Sequence, residues 1–150
     1  MLEIDVIHTR QDGVKVTIDG PKEEPRVWDI KRHLEQYEDR IRSYRNEEML
    51  FTDIKEIFYI DTVDGKTFLY TENDVREVKY RIYELEETLA GKGFVRISKS
   101  QIANIRRMKN LRPQLNRSLL VTMENNECLQ VSRRYAQALK QEIGIGGTRR

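Results

Sequence analysis

Cysteine is nearly absent. Cys128 is the single one in 150 residues, so no internal disulfide can staple the fold. A chain of this length can bury a real core without one. No apolar run approaches the roughly 20 residues needed to span a bilayer, and the opening MLEIDVIHTRQ is too polar for the apolar core of a signal peptide. These absences predict a soluble, cytosolic chain, most economically one domain with an N-terminal extension. Cys128 has no neighbouring histidine or glycine-rich turn to activate it, and reads as a buried strand residue.

Histidine is scarce too. His8 and His33 have no companions at metal-ligand spacing, so surface positions are expected for both. GxGxxG, Walker and GxSxG motifs are all missing. Nothing supports an enzyme, a bound metal, a cofactor or a small-molecule substrate. The third shortage is of acidic residues late in the chain. Residues 92–150 carry 13 Lys and Arg against 3 Asp and Glu, a net of +10, whereas residues 1–91 carry 14 against 22, a net of −8. Clustered cations neutralise phosphates and release condensed counterions, so a half-chain this basic points to a polyanion partner. An acidic half neutralised by a basic half of the same fold would produce the same split.

What is present is a β-rich pattern. Residues 4–7 and 14–18 alternate around RQDG and predict a first hairpin. After PKEEP, the stripe Val27, Ile30, Leu34, Tyr37, Ile41, Tyr44 predicts a helix over 27–44, with Trp28 off the stripe and core packing its ordinary role, a dimer contact the alternative. EIFYIDTVDGKTFLYT holds two strands around Asp64-Gly65, a strong hairpin signal. Residues 73–93 fit a helix or a strand in their first half and a helix in their second, ending at Gly91. FVRIS reads as a strand, KSQIAN as a single helical turn, and IRRMKNL as extended structure broken by Pro113. SLLVTM and ECLQVS flank ENNE as a hairpin, and Ser132 can cap a last helix with Tyr135, Leu139 and Ile143 on one face.

The basic side chains fall at strand edges rather than along one amphipathic helix: Lys66 after the Asp64-Gly65 turn, Lys99 between Ser98 and Ser100, and Arg133-Arg134 after LQVS. Such an arrangement does not suit a recognition helix. Cations at loop tips can reach base edges in a major groove, and hydroxyls and cations suit phosphate oxygens. Local spacing alone is equally compatible with solvated strand ends.

Taken in order, EIFYIDTVDGKTFLYT, YELEETL, FVRISKSQIANI and LQVSRRYAQALK resemble the LytTR DNA-binding domain of bacterial transcription regulators, in particular its short standalone members. The resemblance covers about residues 50–143. It implies an α+β, mostly β domain of small antiparallel sheets that lays loops into successive major grooves. The base-contacting loop positions of the family fall on or next to Lys66 (with Thr67 the alternative), on Lys99 and on Arg133. Ser98, Ser100, Asn104, Arg107 and Arg134 lie in or beside the matched motifs and look like phosphate-positioning or loop-shaping residues. Asn104 matches a characteristic family asparagine, and bonding to its own loop backbone is an equal alternative for it.

The expected organisation is an N-terminal hairpin and helix extension over 1–49, the LytTR-like domain over 50–143, and a flexible tail over 144–150. The extension is too short for a receiver domain, which argues against phosphorelay control through this chain. The resemblance further implies double-stranded DNA as partner, a homodimer on tandem sites, and control by a membrane-protein partner. A competing reading is a protein interaction module or inhibitor acting by mixed dimerisation. RNA binding is weaker, since the strands of the basic half lack the RNP-type aromatic pattern.

Overall fold

The computed structural model describes residues 2–10, 14–37 and 39–144. The chain divides into two compact units, residues 1–37 and 38–150. The first unit contains helix α1 (Pro25–Tyr37). It begins on a proline, whose fixed φ and missing N–H suit a first helical position. Val27 and Ile30 are half-buried. Exposed pairs Arg32–Asp29 (2.6 Å) and Lys31–Glu35 (2.7 Å) lie one turn apart. Trp28 does not enter a core. It is 54% exposed and its Nε1 donates to the Lys22 carbonyl at 3.2 Å.

Two expectations for this region are corrected. Residues 4–7 and 14–18 form no strands, and Ile4, Val6, Ile7, Val14 and Val16 are exposed; an isolated two-stranded hairpin is marginal in water. Most of the expected RQDG turn, residues 11–13, lies outside the described residues, as does all of the expected tail after Gly144. The helix also stops at Tyr37 instead of reaching 44. Ile41 and Tyr44 extend the helical spacing by coincidence. They belong to strand β1 (Arg40–Arg45), which pairs with β2 (Glu48–Asp53). The turn between them, Asn46-Glu47, has positive φ at both positions (49° and 69°), the geometry that matches the twist of paired strands. The expected domain boundary at 49/50 therefore falls inside β2.

The second unit continues with β3 (Tyr59–Val63), β4 (Lys66–Tyr70) and β5 (Val75–Val78), then helix α2 (Ile82–Thr88), β6 (Phe94–Arg96) and β7 (Gln101–Asn104). The ambiguous stretch over 73–93 is thus a strand followed by a helix. These strands form an antiparallel sheet in the order β2-β1-β5-β4-β3-β7-β6. Strands β8 (Met108–Pro113), β9 (Leu119–Met123) and β10 (Cys128–Val131) form a second antiparallel sheet, followed by α3 (Arg133–Glu142). The protein is mostly β, as the sequence predicts.

Alternation along the central strands builds two cores. Tyr59 and Ala103 pack with Leu119, Val121, Met123, Leu129 and Val131 of the second sheet and with Ala136 and Leu139 of α3. Their neighbours Ile60 and Ile102 face the other way, onto Leu69, Val78, Leu85 of α2 and Leu89 just after it. KSQIAN is not a helical turn: Gln101–Asn104 is a strand paired with β3 and β6, with Ile102 and Ala103 buried on opposite faces. The helical turn comes later, at Ile105–Arg107. Cys128 is likewise corrected. It lies on β10 but is exposed, because Leu129 and Val131 take the inward positions.

Candidate nucleic-acid interface

Strand register brings three distant segments to one end of the large sheet. The β3–β4 turn, Asp64-Gly65, has positive φ at both residues (52° and 77°) and closes the hairpin at the pair Val63↔Lys66. Because β7 runs antiparallel to β3 with Asp61 opposite Gln101, the loop before β7, residues 98–100, sits at that same end. The Thr62 amide donates to the Ser100 carbonyl at 2.9 Å and fastens loop to hairpin. The third segment arrives through the Ser132 amide, which donates to the Ile97 carbonyl at 3.0 Å and sets the start of α3 beside the same loop.

Lys66, Lys99 and Arg133, one from each segment, are all exposed. Thr67 is buried at 4% and its hydroxyl lies 3.3 Å from that of Thr62, which leaves Lys66 as the outward residue of its turn. Arg134 is exposed and stacks over Tyr135 at 5.6 Å. Ser98 and Ser100 are half-buried. The Ser98 Oγ accepts from the Ser100 amide at 3.2 Å, so Ser98 shapes the loop by a local turn of the kind serine favours.

The residue that holds Lys99 outward is Arg96, to which the sequence pattern gave no role. Its Nε donates to the Ser98 carbonyl at 2.8 Å, its Nη2 to the Lys99 carbonyl, and its Nη1 to Glu86 Oε1 at 2.7 Å. A guanidinium committed to two carbonyls of one short loop presets the loop's shape. The only signal in the sequence is an arginine in a three-residue strand just before the loop. Tyr135, between Arg96 and Arg134 at 6.0 and 5.6 Å, belongs to the same packing.

Two expected contact residues are placed elsewhere. Asn104 is 3% exposed, and both ends of its amide are engaged: Nδ2 donates to the Ile57 carbonyl at 2.8 Å and Oδ1 accepts from the Arg106 amide at 3.0 Å. It caps the turn Ile105–Arg107, and its amide is engaged within the fold. Arg107 lies at the other end of β7 from Lys99. Its Nε and Nη2 donate to the Lys55 carbonyl at 3.1 and 2.7 Å, Nη1 reaches Glu124 at 3.3 Å, and the group stacks over Phe58 at 5.1 Å.

Titration is perturbed away from the loops. Burial, then a hydrogen bond to Glu127 at 3.0 Å, pushes the Tyr59 hydroxyl far up, which keeps it a neutral donor linking the large sheet to the β9–β10 turn. Asp74 is held below the usual carboxylate range, first by the Thr71 hydroxyl and then by Arg76 and Arg45. This cluster joins β5 to β1.

Comparison with known proteins agrees with this architecture. The model of the LytTr DNA-binding domain matches residues 47–144. The sensory transduction protein LytT of Bacillus anthracis is 30% identical over 99 residues, which are 66% of this chain and 40% of that protein. An uncharacterized HTH-type transcriptional regulator of Staphylococcus aureus is 26% identical over 102 residues, 68% of this chain and 69% of that one. The chain thus spans about two-fifths of the length of the LytT relatives. A solved LytTr DNA-binding domain from Bacillus cereus superposes with a TM-score of 0.68 at 24% identity, over 71% of this chain and 98% of that one.

Proposed function

We propose that this chain, which belongs to the LytTr DNA-binding domain family, is a transcription regulator that reads duplex DNA in the major groove through Lys66, Lys99 and Arg133. The observation that carries this reading is the assembly of three exposed cations from three distant segments at one end of the sheet, with Arg96 presetting the central loop. Long cations on turns can donate to guanine O6 and N7, while Arg134 and the hydroxyls of Ser98 and Ser100 can position phosphates. Asn104 supports the reading end only indirectly, by fixing the far end of β7. Two protomers bind tandem sites on the DNA, the protein works in the cytoplasm, and a membrane protein is its controlling partner. No described helix is long and apolar enough to cross a membrane.

The test is binding to fragments of candidate promoters from low to moderate salt. About six neutralised phosphates give a log-log slope near −5. Undetectable or salt-independent binding to every fragment would sink the reading.

One observation favours a second reading, a protein interaction module or inhibitor. In the first unit Ile4, Val6 and Ile7 are exposed close together in the chain, and contiguous exposed apolar surface marks interaction sites. Retained capture of a partner protein by a chain that shifts no DNA would establish it.

A further inference from the structure

A cavity of about 240 Å³ lies at the end of the large sheet opposite the three loops, lined by Ile54, Lys55, Lys92, Phe94, Asn104, Arg106 and Arg107. Four of these seven residues are cations and none is acidic. They come from three segments that meet only through the fold: the turn before β3, the turn before β6, and the turn after β7. Four residues of β7 separate Arg106's turn from the Lys99 loop, about 13 Å of strand at 3.3 Å per residue.

The walls are fixed in different ways. Arg107 is immobilised by the Lys55 carbonyl, Glu124 and the Phe58 ring. Asn104 is locked by its two amide hydrogen bonds. Lys92 is paired with Asp39 at 3.7 Å. Arg106 crosses Gly93, whose φ is +90° and where an added Cβ would come within 3.5 Å of the Arg106 Nε; the Ile105 amide donates to the Gly93 carbonyl at 2.8 Å. Lys55 and Arg106 are exposed. Neither the Lys55 ammonium nor the Arg106 guanidinium has a hydrogen bond or ion pair among the described residues.

Lys92 and Arg107 are paired with Asp39 and Glu124; Lys55 and Arg106 face the same concavity without a paired carboxylate among the described residues, and a shared anion neutralises both. The volume is below the range of about 300–1,000 Å³ usual for drug-sized ligands, so the occupant is compact. From this geometry we infer a second oxyanion site, remote from the reading loops, that takes a small phosphate-bearing molecule. Lys55 and Arg106 are its donors, Arg107 and Asn104 its floor. The site exists whether or not the loops read DNA.

The test uses the full chain, labelled for amide NMR, titrated with pyrophosphate and separately with a short random duplex. Saturable pyrophosphate shifts confined to residues 54–55, 92–94 and 104–107 are expected. The double variant Lys55→Gln, Arg106→Gln keeps the wild-type amide spectrum elsewhere and loses about tenfold or more in pyrophosphate affinity, the expected scale for two charge-assisted hydrogen bonds. Non-saturating shifts spread equally over residues 64–67, 98–100 and 132–134 would overturn the inference, as general attraction to a basic surface. So would duplex-induced shifts over the cavity with a lowered DNA salt slope in the double variant, because the cavity would then be part of the DNA interface.

Discussion

The two ends of the large sheet carry the same kinds of residue and use them differently. At the loop end, Lys66, Lys99 and Arg133 are exposed, and the neighbouring Arg96 holds the loop from beneath. At the other end, Arg107 is bonded to a carbonyl and a carboxylate and lies over a ring, and Asn104 is buried. The +10 of residues 92–150 therefore overstates the charge available to a polyanion. What separates an exposed cation from a strut is the geometry of the partner groups, not the residue type.

Breaking the rigid end should have the largest effect on stability. Asn104→Ala leaves the buried Ile57 carbonyl without its partner, at about 1–3 kcal/mol, and removes the cap on the part-buried Arg106 amide, at about 1 kcal/mol. A loss of roughly 2–4 kcal/mol in denaturant unfolding is expected, read as a lowered midpoint at an unchanged slope. Breaking the reading end should do the opposite. Lys99→Ala and Arg133→Ala should leave unfolding nearly unchanged while costing about 1–3 kcal/mol on a specific site and relaxing base preference there. Equal losses on specific and random DNA would reduce both residues to phosphate contacts.

Arg107→Ala sharpens the contrast. Its charge is already committed within the chain, so it should lower stability by about 1 kcal/mol or more and leave the DNA salt slope where it was. A slope reduced by about 1 would return Arg107 to the phosphate contacts. The smallest effect concerns Asp74. Its carboxyl is held down by Thr71, Arg76 and Arg45, so its contribution is complete above the unfolded value of about 3.9 and fades as pH falls through the lower folded value. Asp74→Asn should flatten the acid limb of the stability curve, and an unchanged limb would place the acid sensitivity in other carboxylates.

Legibility in the sequence followed the range of the forces. The β3–β4 hairpin was plain because Asp64-Gly65 states its turn locally. The β1–β2 hairpin was hidden because Asn46-Glu47 adopts the same positive φ values without a glycine, while Ile41 and Tyr44 happened to continue the helical spacing of α1. Lys66, Lys99 and Arg133 were visible as strand-edge cations. The strut role of Arg107 was not, since its acceptor Lys55 stands 52 positions earlier. The same holds for Asn104, whose acceptor Ile57 is 47 positions away. Cys128 was misread because alternation along β10 needed the register of the sheet to settle which face was inward.

The central claim is that three exposed cations at one end of the sheet read bases. Selection of bound duplexes from a random pool, run in parallel with the wild-type chain and with Lys99→Ala and Arg133→Ala, tests it most directly. The account expects the wild type to enrich a repeated motif, and each variant to lose preference at a different position within it. Enrichment of no motif by the wild type, or an identical motif from all three chains, would contradict it.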